Sequence, residues 1–436
     1  MAQKREIFGW AMYDFANSAF ATSIMGVVYQ VYFTQEVAKN ADLWGMKIPA
    51  ISLWGYTVSA AMLVVLLTAP ALGAIADFSG QKKKFLLVYW LLGCVFTGLL
   101  FLVTPGRYLL GMGLLFIALI GFAGGNAFYN AFLPELADEK HLGRVSGLGQ
   151  GLGYVGGGLC LMLNLVMIQK PAWFGLSSGN HLAVRTSFVV VAGWFMLFAL
   201  PTFLLVRERA SEVALFPAGK GYLTAGYGRV FDTIRQVRRY PELARFLVAF
   251  FLFMEGVETV IVMAAALGAE VLQMPSEELI KVYLLVQAVA VVGAIGFGYL
   301  ADRWGNRNSI AVTLVIWCGL IVYAYFIRTP GEYWLMGVGV GVVVGGTQAC
   351  SRSLVALMTP REHHAEVFGF FAMAGKAASV VGPFVMAVMT QWLNPRAGIL
   401  SLSAFIILGL LVTLKVNESK GYRESQPTPA EQTGNS

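Results

Sequence analysis

The sequence holds little charge. Asp, Glu, Lys and Arg make up 13 % of its 436 residues and hydrophobic residues 57 %, at a mean hydropathy of +0.68. Soluble globular domains carry about 25 % charged residues, so a water-soluble fold is excluded and a polytopic membrane protein is implied. Cysteine is scarce as well. Cys94, Cys160, Cys318 and Cys350 each fall inside an apolar run, far apart, which fits neither a disulfide nor a zinc framework. Histidine numbers four, and its one cluster, EHHAE (362–366), lies in a short loop without converging ligands, so no metal and no cofactor is expected. The pattern Gly-x-x-x-x-Gly-Lys-Ser/Thr is missing, which excludes an ATP-driven motor within the chain. GLGYVG (151–156) matches Gly-x-Gly-x-x-Gly but lies in an apolar run rather than after a strand, so it reads as close helix packing, as do Gly337, Gly341 and Gly345. The net charge of +7 resides in the connections between apolar runs, a membrane-topology pattern, and no nucleic-acid partner is expected.

What the chain has in abundance is long apolar runs. A membrane-spanning helix needs about 20 such residues, and twelve fit, near 9–34, 51–76, 84–104, 109–133, 145–169, 185–206, 243–268, 279–301, 308–328, 333–357, 366–391 and 397–416. The first run carries Asp14 and no small-x-small cleavage site, so it reads as an uncleaved span. The expected fold is all-α, with two six-helix bundles at 1–206 and 242–416, a connection at 207–241 and an unordered polar tail at 417–436. With the N-terminus inside, 21 Lys and Arg fall on the cytoplasmic side and 8 outside, while Arg352 and Lys376 lie within spans. That bias predicts cytoplasmic N- and C-termini. In the connection, RVFDTIRQVRRY (229–240) sets Val230, Ile234 and Val237 on one face and Arg229, Asp232, Arg235, Gln236 and Arg239 on the other. It reads as a basic amphipathic helix suited to an anionic membrane surface, or as a plain solvated linker helix.

Two loops repeat each other. GAIADFSGQKK (73–83) follows the second span and GYLADRWGNRN (298–308) follows the eighth. Each carries Gly-x-x-x-Asp-x-x-Gly and then a basic residue, at the same place in its six-span half, as a duplicated transporter would. An aspartate at a helix C-terminus is repelled by the negative dipole end, so it needs donors from elsewhere. Asp77 and Asp302 would find them at a neighbouring helix N-terminus and at Lys82 and Arg307. Gly73 and Gly298 would let that neighbour approach, and Gly80 and Gly305 would permit the turn. The pair reads as a conformational latch that forms on one side of a rocking bundle.

These loops resemble the signature of the major facilitator superfamily, and the resemblance covers nearly the whole chain. WAMYDFANSAF (10–20), FYNAFLPEL (128–136), MEGVETV (254–260), QACSRSLVALMTP (348–360) and EVFGFFAMAGKAASVVGP (366–383) are similar in order to the bacterial "unknown major facilitator" family, related to autophagy-linked fungal vacuolar amino-acid effluxers. One departure is Glu255, where that family usually has aspartate. The resemblance implies a twelve-helix transporter, monomeric, in a bacterial inner membrane, with spans one, four, seven and ten lining a cavity and spans three, six, nine and twelve facing lipid.

The polar residues agree with that arrangement. Spans three, six, nine and twelve hold no acid or base in their central stretches. Helical spacing groups Asp14, Asn17 and Ser18; Asn126, Tyr129 and Asn130; Glu255, Glu258 and Thr259; and Gln348, Ser351 and Arg352. Span five adds Ser146, Gln150 and Tyr154, and span eleven Lys376, about 15 Å into its helix. A charge at mid-membrane costs about 2.5–3.5 kcal/mol on insertion scales, so it persists where a partner or a wet cavity compensates. Asp14 reads either as cavity lining or as one half of a gate pair with Arg352. Glu255 and Glu258 sit deeper and suit substrate or proton binding, with Lys376 their structural neutraliser or a site residue itself. Asn126 and Asn130 read as site residues or as interhelical hydrogen bonds.

The expected function is secondary active transport of a small polar solute by alternating access, coupled to protons, with amino-acid or peptide efflux the leading form. Proton-linked uptake of a sugar or cell-wall fragment is the alternative, with Trp10, Tyr13, Tyr129 and Tyr154 as stacking platforms. A membrane sensor that binds without moving its ligand is a third reading. No nucleophile–base pair lies inside the spans, so an enzyme is not expected.

Overall fold

The computed structural model describes residues 2–39, 41–43, 45–79, 81–136, 142–177, 179, 181–208, 228, 235, 238–359 and 364–425. Each predicted run is a helix. The first, α1 (Ala2–Ala19), continues through a π-helical stretch Phe20–Val27, an α-helical turn Val28–Tyr32 and a second π-helical stretch Phe33–Val37. Then come α2 (Ala50–Ser79), α3 (Lys82–Leu99), α4 (Tyr108–Ala131), α5 (Leu142–Gln169), α6 (Leu182–Leu205), α7 (Pro241–Val271), α8 (Ser276–Trp304), α9 (Asn306–Phe326), α10 (Pro330–Met358), α11 (His364–Trp392) and α12 (Pro395–Thr413). By length and apolarity, ten of these helices are able to cross a membrane. That count is made on the described residues, which in α11 include the apolar stretch Ala378–Trp392. The protein is an all-α polytopic membrane protein, apart from a two-residue antiparallel pairing of Asp42–Leu43 with Met46–Lys47.

The helices pack as two pseudo-symmetric bundles. In the first, α1 lies against α5 and α6, α2 against α4, and α3 against α4 and α6. Each pairing recurs six helices later: α7 with α11 and α12, α8 with α10, and α9 with α10 and α12. The bundles meet along α2–α11 and α5–α8, and the π-helical part of α1 touches α7 and α8. Small residues bring the backbones together, as membrane helices require. A Cβ on Gly156 would strike the Phe15 carbonyl, and one on Gly345 the Ala290 carbonyl. Packing, not nucleotide binding, is therefore the role of both glycine-rich runs.

The repeat extends to the helix ends. After α6, Glu208 Oε1 accepts the Lys83 N–H at 3.3 Å, and Lys83 Nζ donates to the Val206 carbonyl at 2.8 Å. After α12, Glu418 accepts the N–H groups of Asn306 (3.1 Å) and Arg307 (3.0 Å), and Arg307 Nη2 donates to the Leu414 carbonyl at 2.7 Å. In each half an acid just past the sixth helix caps the third helix, whose bare N–H groups favour an anion.

Glu418 begins a thirteenth helix, α13 (Glu418–Glu424), which corrects the expectation of an unordered tail from residue 417. Asn417 caps it through Lys420 N–H at 3.0 Å. The buried Glu242 at the start of α7 accepts from Asn417 N–H (2.8 Å) and Arg245 Nη1 (2.6 Å), with Lys420 Nζ at 3.5 Å, and Ser425 Oγ donates to the Leu357 carbonyl at 3.1 Å. The polar composition that made this stretch look unordered is what lets it satisfy the open ends of α7, α9 and α10. Residues 426–436 and most of the 229–240 segment lie outside the described residues.

Candidate functional site

The bundles are locked together at the end where α1 finishes and α2 begins. Gln35 Nε2 donates to the carbonyls of Ala269 (3.2 Å) and Met274 (3.0 Å), and Gln30 to that of Val262. Ser52 Oγ donates to the Ala387 carbonyl at 2.9 Å and Tyr56 OH to Gln391 Oε1 at 2.5 Å. Gln169 Nε2 donates to Glu277 Oε2 at 3.2 Å. Glu270, near the end of α7, accepts the Ile51 N–H at the start of α2, while its Oε2 is buried without a partner. An anion is disfavoured at a helix C-terminus and favoured at an N-terminus, so Glu270 draws this support only while the end is shut. Two glycines allow the closure. A Cβ on Gly55 would lie 2.8 Å from the Pro383 carbonyl, and one on Gly26 would lie 2.7 Å from the Tyr283 ring.

Beyond this closed end, the described residues give one hydrogen bond between the bundles, a long one of 3.5 Å from Tyr154 OH to Gln348 Oε1. Tyr154, at mid-depth on α5, is 36 % exposed although it faces the other bundle. Gln150 Nε2 lies 3.4 Å from the Tyr154 hydroxyl, one turn earlier on α5. Arg352, one turn beyond Gln348, is half-buried within electrostatic reach of both Tyr154 and Asp14. Glu258 on α7 is half-buried within electrostatic reach of Tyr154 and Tyr283. A cation and a carboxylate from different helices of one bundle thus converge on tyrosines and an amide.

Asp14, Asn17 and Asn126 come together inside the first bundle. Tyr129 OH donates to Asp14 Oδ2 at 2.8 Å, and Asn17 Nδ2 to Asn126 Oδ1 at 2.5 Å. Tyr129 stacks with Trp10 (centroids 4.6 Å apart) and Tyr13 (4.8 Å), and all three rings are buried. Of the four aromatic residues expected as sugar platforms, only Tyr154 is therefore exposed. The Asn130 side chain is exposed and makes no hydrogen bond among the described residues. The side chains of Lys376, Ser146 and Asp77 lie outside the described atoms, as does Gly80.

Glu255 is wholly buried between α7 and α11. Its Oε2 accepts the Gly382 N–H at 2.6 Å, its carboxylate also draws on the Val381 N–H, and Oε1 is buried without a partner. These donors immediately precede Pro383, which lacks an N–H and interrupts the α11 ladder. A neutral acid would keep the Gly382 bond through Oε2 and carry its proton on the free oxygen.

In the second repeat, the Asp302 side chain is exposed and makes no hydrogen bond or ion pair among the described residues, and a Cβ on Gly298 would meet nothing within 4 Å. Gly305 does take the turn, at φ +87°, and Arg307 is engaged with α12. Lys82, its counterpart in the first repeat, opens α3. Reading the sequence missed Glu270, Tyr283, Gly26 and Gly55. Glu270 lies just past the predicted end of span seven, and Tyr283 lies on a helix not expected to line the cavity.

The family model described as "Vacuole effluxer Atg22 like" matches residues 2–426. The chain belongs to this family. The MFS-type transporter YxiO of Bacillus subtilis (strain 168) is 30 % identical over 418 residues, covering 96 % of each chain. Autophagy-related protein 22 of Eremothecium gossypii is 22 % identical over 484 residues, covering 98 % of this chain and 93 % of that one. Among solved structures, a bacterial homologue of the lysosomal transporter Spinster, inward-facing and unoccupied, superposes with TM-score 0.65 at 14 % identity over 98 % of both chains. The xylose transporter XylE, partially occluded and inward open, gives 0.64 at 13 % identity over 95 % of this chain and 96 % of its own. At such identity these two speak for the fold alone. This Atg22-like chain is a membrane transporter of the major facilitator type, and not an enzyme.

Proposed function

We propose that this Atg22-like chain exports a small zwitterionic solute, an amino acid or short peptide, in exchange for protons. The observation that carries the reading is the convergence of Arg352 and Glu258 on Tyr154 and Gln348 at mid-depth. Arg352 suits a carboxylate, through paired N–H donors, and Glu258 an ammonium group. On the topology drawn from Lys and Arg counts, the locked end faces outward and the cavity faces the cytoplasm, where an exporter loads. Asp14 closes the same cavity from the first bundle and pairs with Arg352 when the inner end shuts, while Asp77 and Asp302 engage their latches.

Glu255 carries the proton in this scheme. Its free oxygen accepts one without breaking the bond to α11, so charge changes at the joint between two moving helices. One charge moving through 100 mV supplies about 2.3 kcal/mol, enough for roughly a 50-fold solute gradient.

The test uses purified protein in liposomes with an internal pH dye. Pools of amino acids, dipeptides and sugars are presented to wild type, Glu255→Gln and Glu258→Gln. Proton movement driven by amino acids or dipeptides, and abolished by Glu255→Gln, supports the reading. Movement with sugars alone replaces it with uptake of a carbohydrate, and binding without flux replaces it with a sensor.

A further inference from the structure

A cleft of about 890 Å³ opens at the end opposite the lock, between the α8–α9 turn, the end of α12 and α13. Trp304, Arg307, Lys415, Glu418, Tyr422 and Arg423 line it. Its one carboxylate is committed: Glu418 accepts from the Asn306 backbone, the Asn306 side chain at 3.0 Å and the Arg307 backbone. Arg307 spends one nitrogen on the Leu414 carbonyl, and its Nε has no partner. Lys415 and Arg423 are exposed and have no side-chain hydrogen bond or ion pair among the described residues. Three cations against one neutralised acid leave the cleft with a surplus of two positive charges. No solute path needs it, because it lies outside the bundle interface.

The surroundings say which anion. Trp304 is 57 % exposed and Tyr422 46 % exposed, and Tyr299, Leu411 and Leu414 are exposed near the ends of α8 and α12. Exposed Trp and Tyr at helix ends sit at headgroup level, and Lys and Arg there attract anionic lipid. We propose that this cleft binds the phosphate of an anionic phospholipid headgroup, with Lys415 and Arg423 as its ligands and Trp304 and Tyr422 packing on the glycerol and upper acyl chain. The headgroup would then bridge α9, α13 and the end of α12, which Glu418 and Arg307 already tie together. The site is independent of the solute and of the proton.

The experiment compares wild type with the double variant Lys415→Gln/Arg423→Gln in native mass spectrometry. Detergent-solubilised protein is supplied with phosphatidylglycerol, phosphatidylcholine or inorganic phosphate. Wild type is expected to retain phosphatidylglycerol over phosphatidylcholine, and the double variant to lose affinity by about fivefold per cation removed. Equal retention by both proteins, or no preference between the lipids, overturns the assignment. Inorganic phosphate competing at the same concentration as the lipid makes this a soluble-anion site and overturns it too. Should the double variant fail to fold, brominated lipids answer the question on intact charges. Brominated phosphatidylglycerol should quench the Trp304 emission, taken as the difference between wild type and Trp304→Phe, more than brominated phosphatidylcholine does. Equal quenching counts against the site.

Discussion

The carboxylate of Glu255 and the backbone of Gly382 are joined by a 2.6 Å hydrogen bond that ties α7 to α11 one residue before a proline. Gly382 permits the bond because it has no side chain to hold the helices apart, and Pro383 beside it lacks an N–H and interrupts the α11 ladder. A Cβ on Gly382 would collide with Thr259 Oγ1 and the Glu255 carbonyl.

Glu255→Gln is expected to fold normally, because an amide oxygen accepts the same N–H, but to transport without responding to a pH gradient. Glu255→Ala leaves buried donors without an acceptor and opens a void, at a cost of about 2–4 kcal/mol. Thermal unfolding in detergent, read beside the flux assay, separates the two. A glutamine variant that still couples protons would remove Glu255 from the proposed mechanism.

Gly55→Trp should hold the locked end open, since even a Cβ at this position meets the Pro383 carbonyl and Ala387. A cysteine introduced at Gln391, the acceptor of Tyr56, reports it. Its labelling by an impermeant maleimide should rise severalfold in the Gly55→Trp background. The native thiols interfere little, three of them being buried. Unchanged labelling would mean that α2 and α11 do not part here.

Arg352→Gln should raise KM for solutes bearing a carboxylate by about tenfold or more, the usual worth of a hydrogen bond to a charged group. The corresponding amine without the carboxylate should be unaffected. Competition binding with paired analogues measures the difference, and an equal loss for both analogues would mean that Arg352 acts on the gate alone.

The two capping acids should rank in a fixed order. Glu418 takes three hydrogen bonds from α9, whereas Glu208 takes one longer bond from α3. Glu418→Ala is expected to cost about 1–2 kcal/mol, at the strong end for a helix cap, and Glu208→Ala less. Denaturation midpoints of the single variants give the order directly.

Much of the architecture was legible because the bilayer imposes it. An apolar run long enough to span has to be a helix, as no other single segment satisfies its backbone in lipid. Twelve runs therefore gave twelve helices. The acids at 14, 255 and 258 stood out for the same reason, since charge in such a helix needs compensation. Glycine at 156 and 345 was readable as packing, because period and apolar context left nothing else for it to do.

Spacing along one helix tells which residues share a face, not what the face meets. Asn126 and Asn130 share a stripe, yet one bonds Asn17 and the other is exposed. Trp10, Tyr13 and Tyr129 have the chemistry of a sugar platform, but they are spent on each other inside the first bundle. Glu270 looked like a loop residue until α2 brought its N-terminus from the other bundle. The tail after Val416 looked unordered until the ends of α7, α9 and α10 were there to receive it. The sequence by itself determined the long apolar helices and the residues too costly to bury alone. Which of those residues became partners was decided only in the tertiary structure, because a hydrogen bond between helices depends on depth, rotation and crossing angle, none of which the hydrophobic period contains.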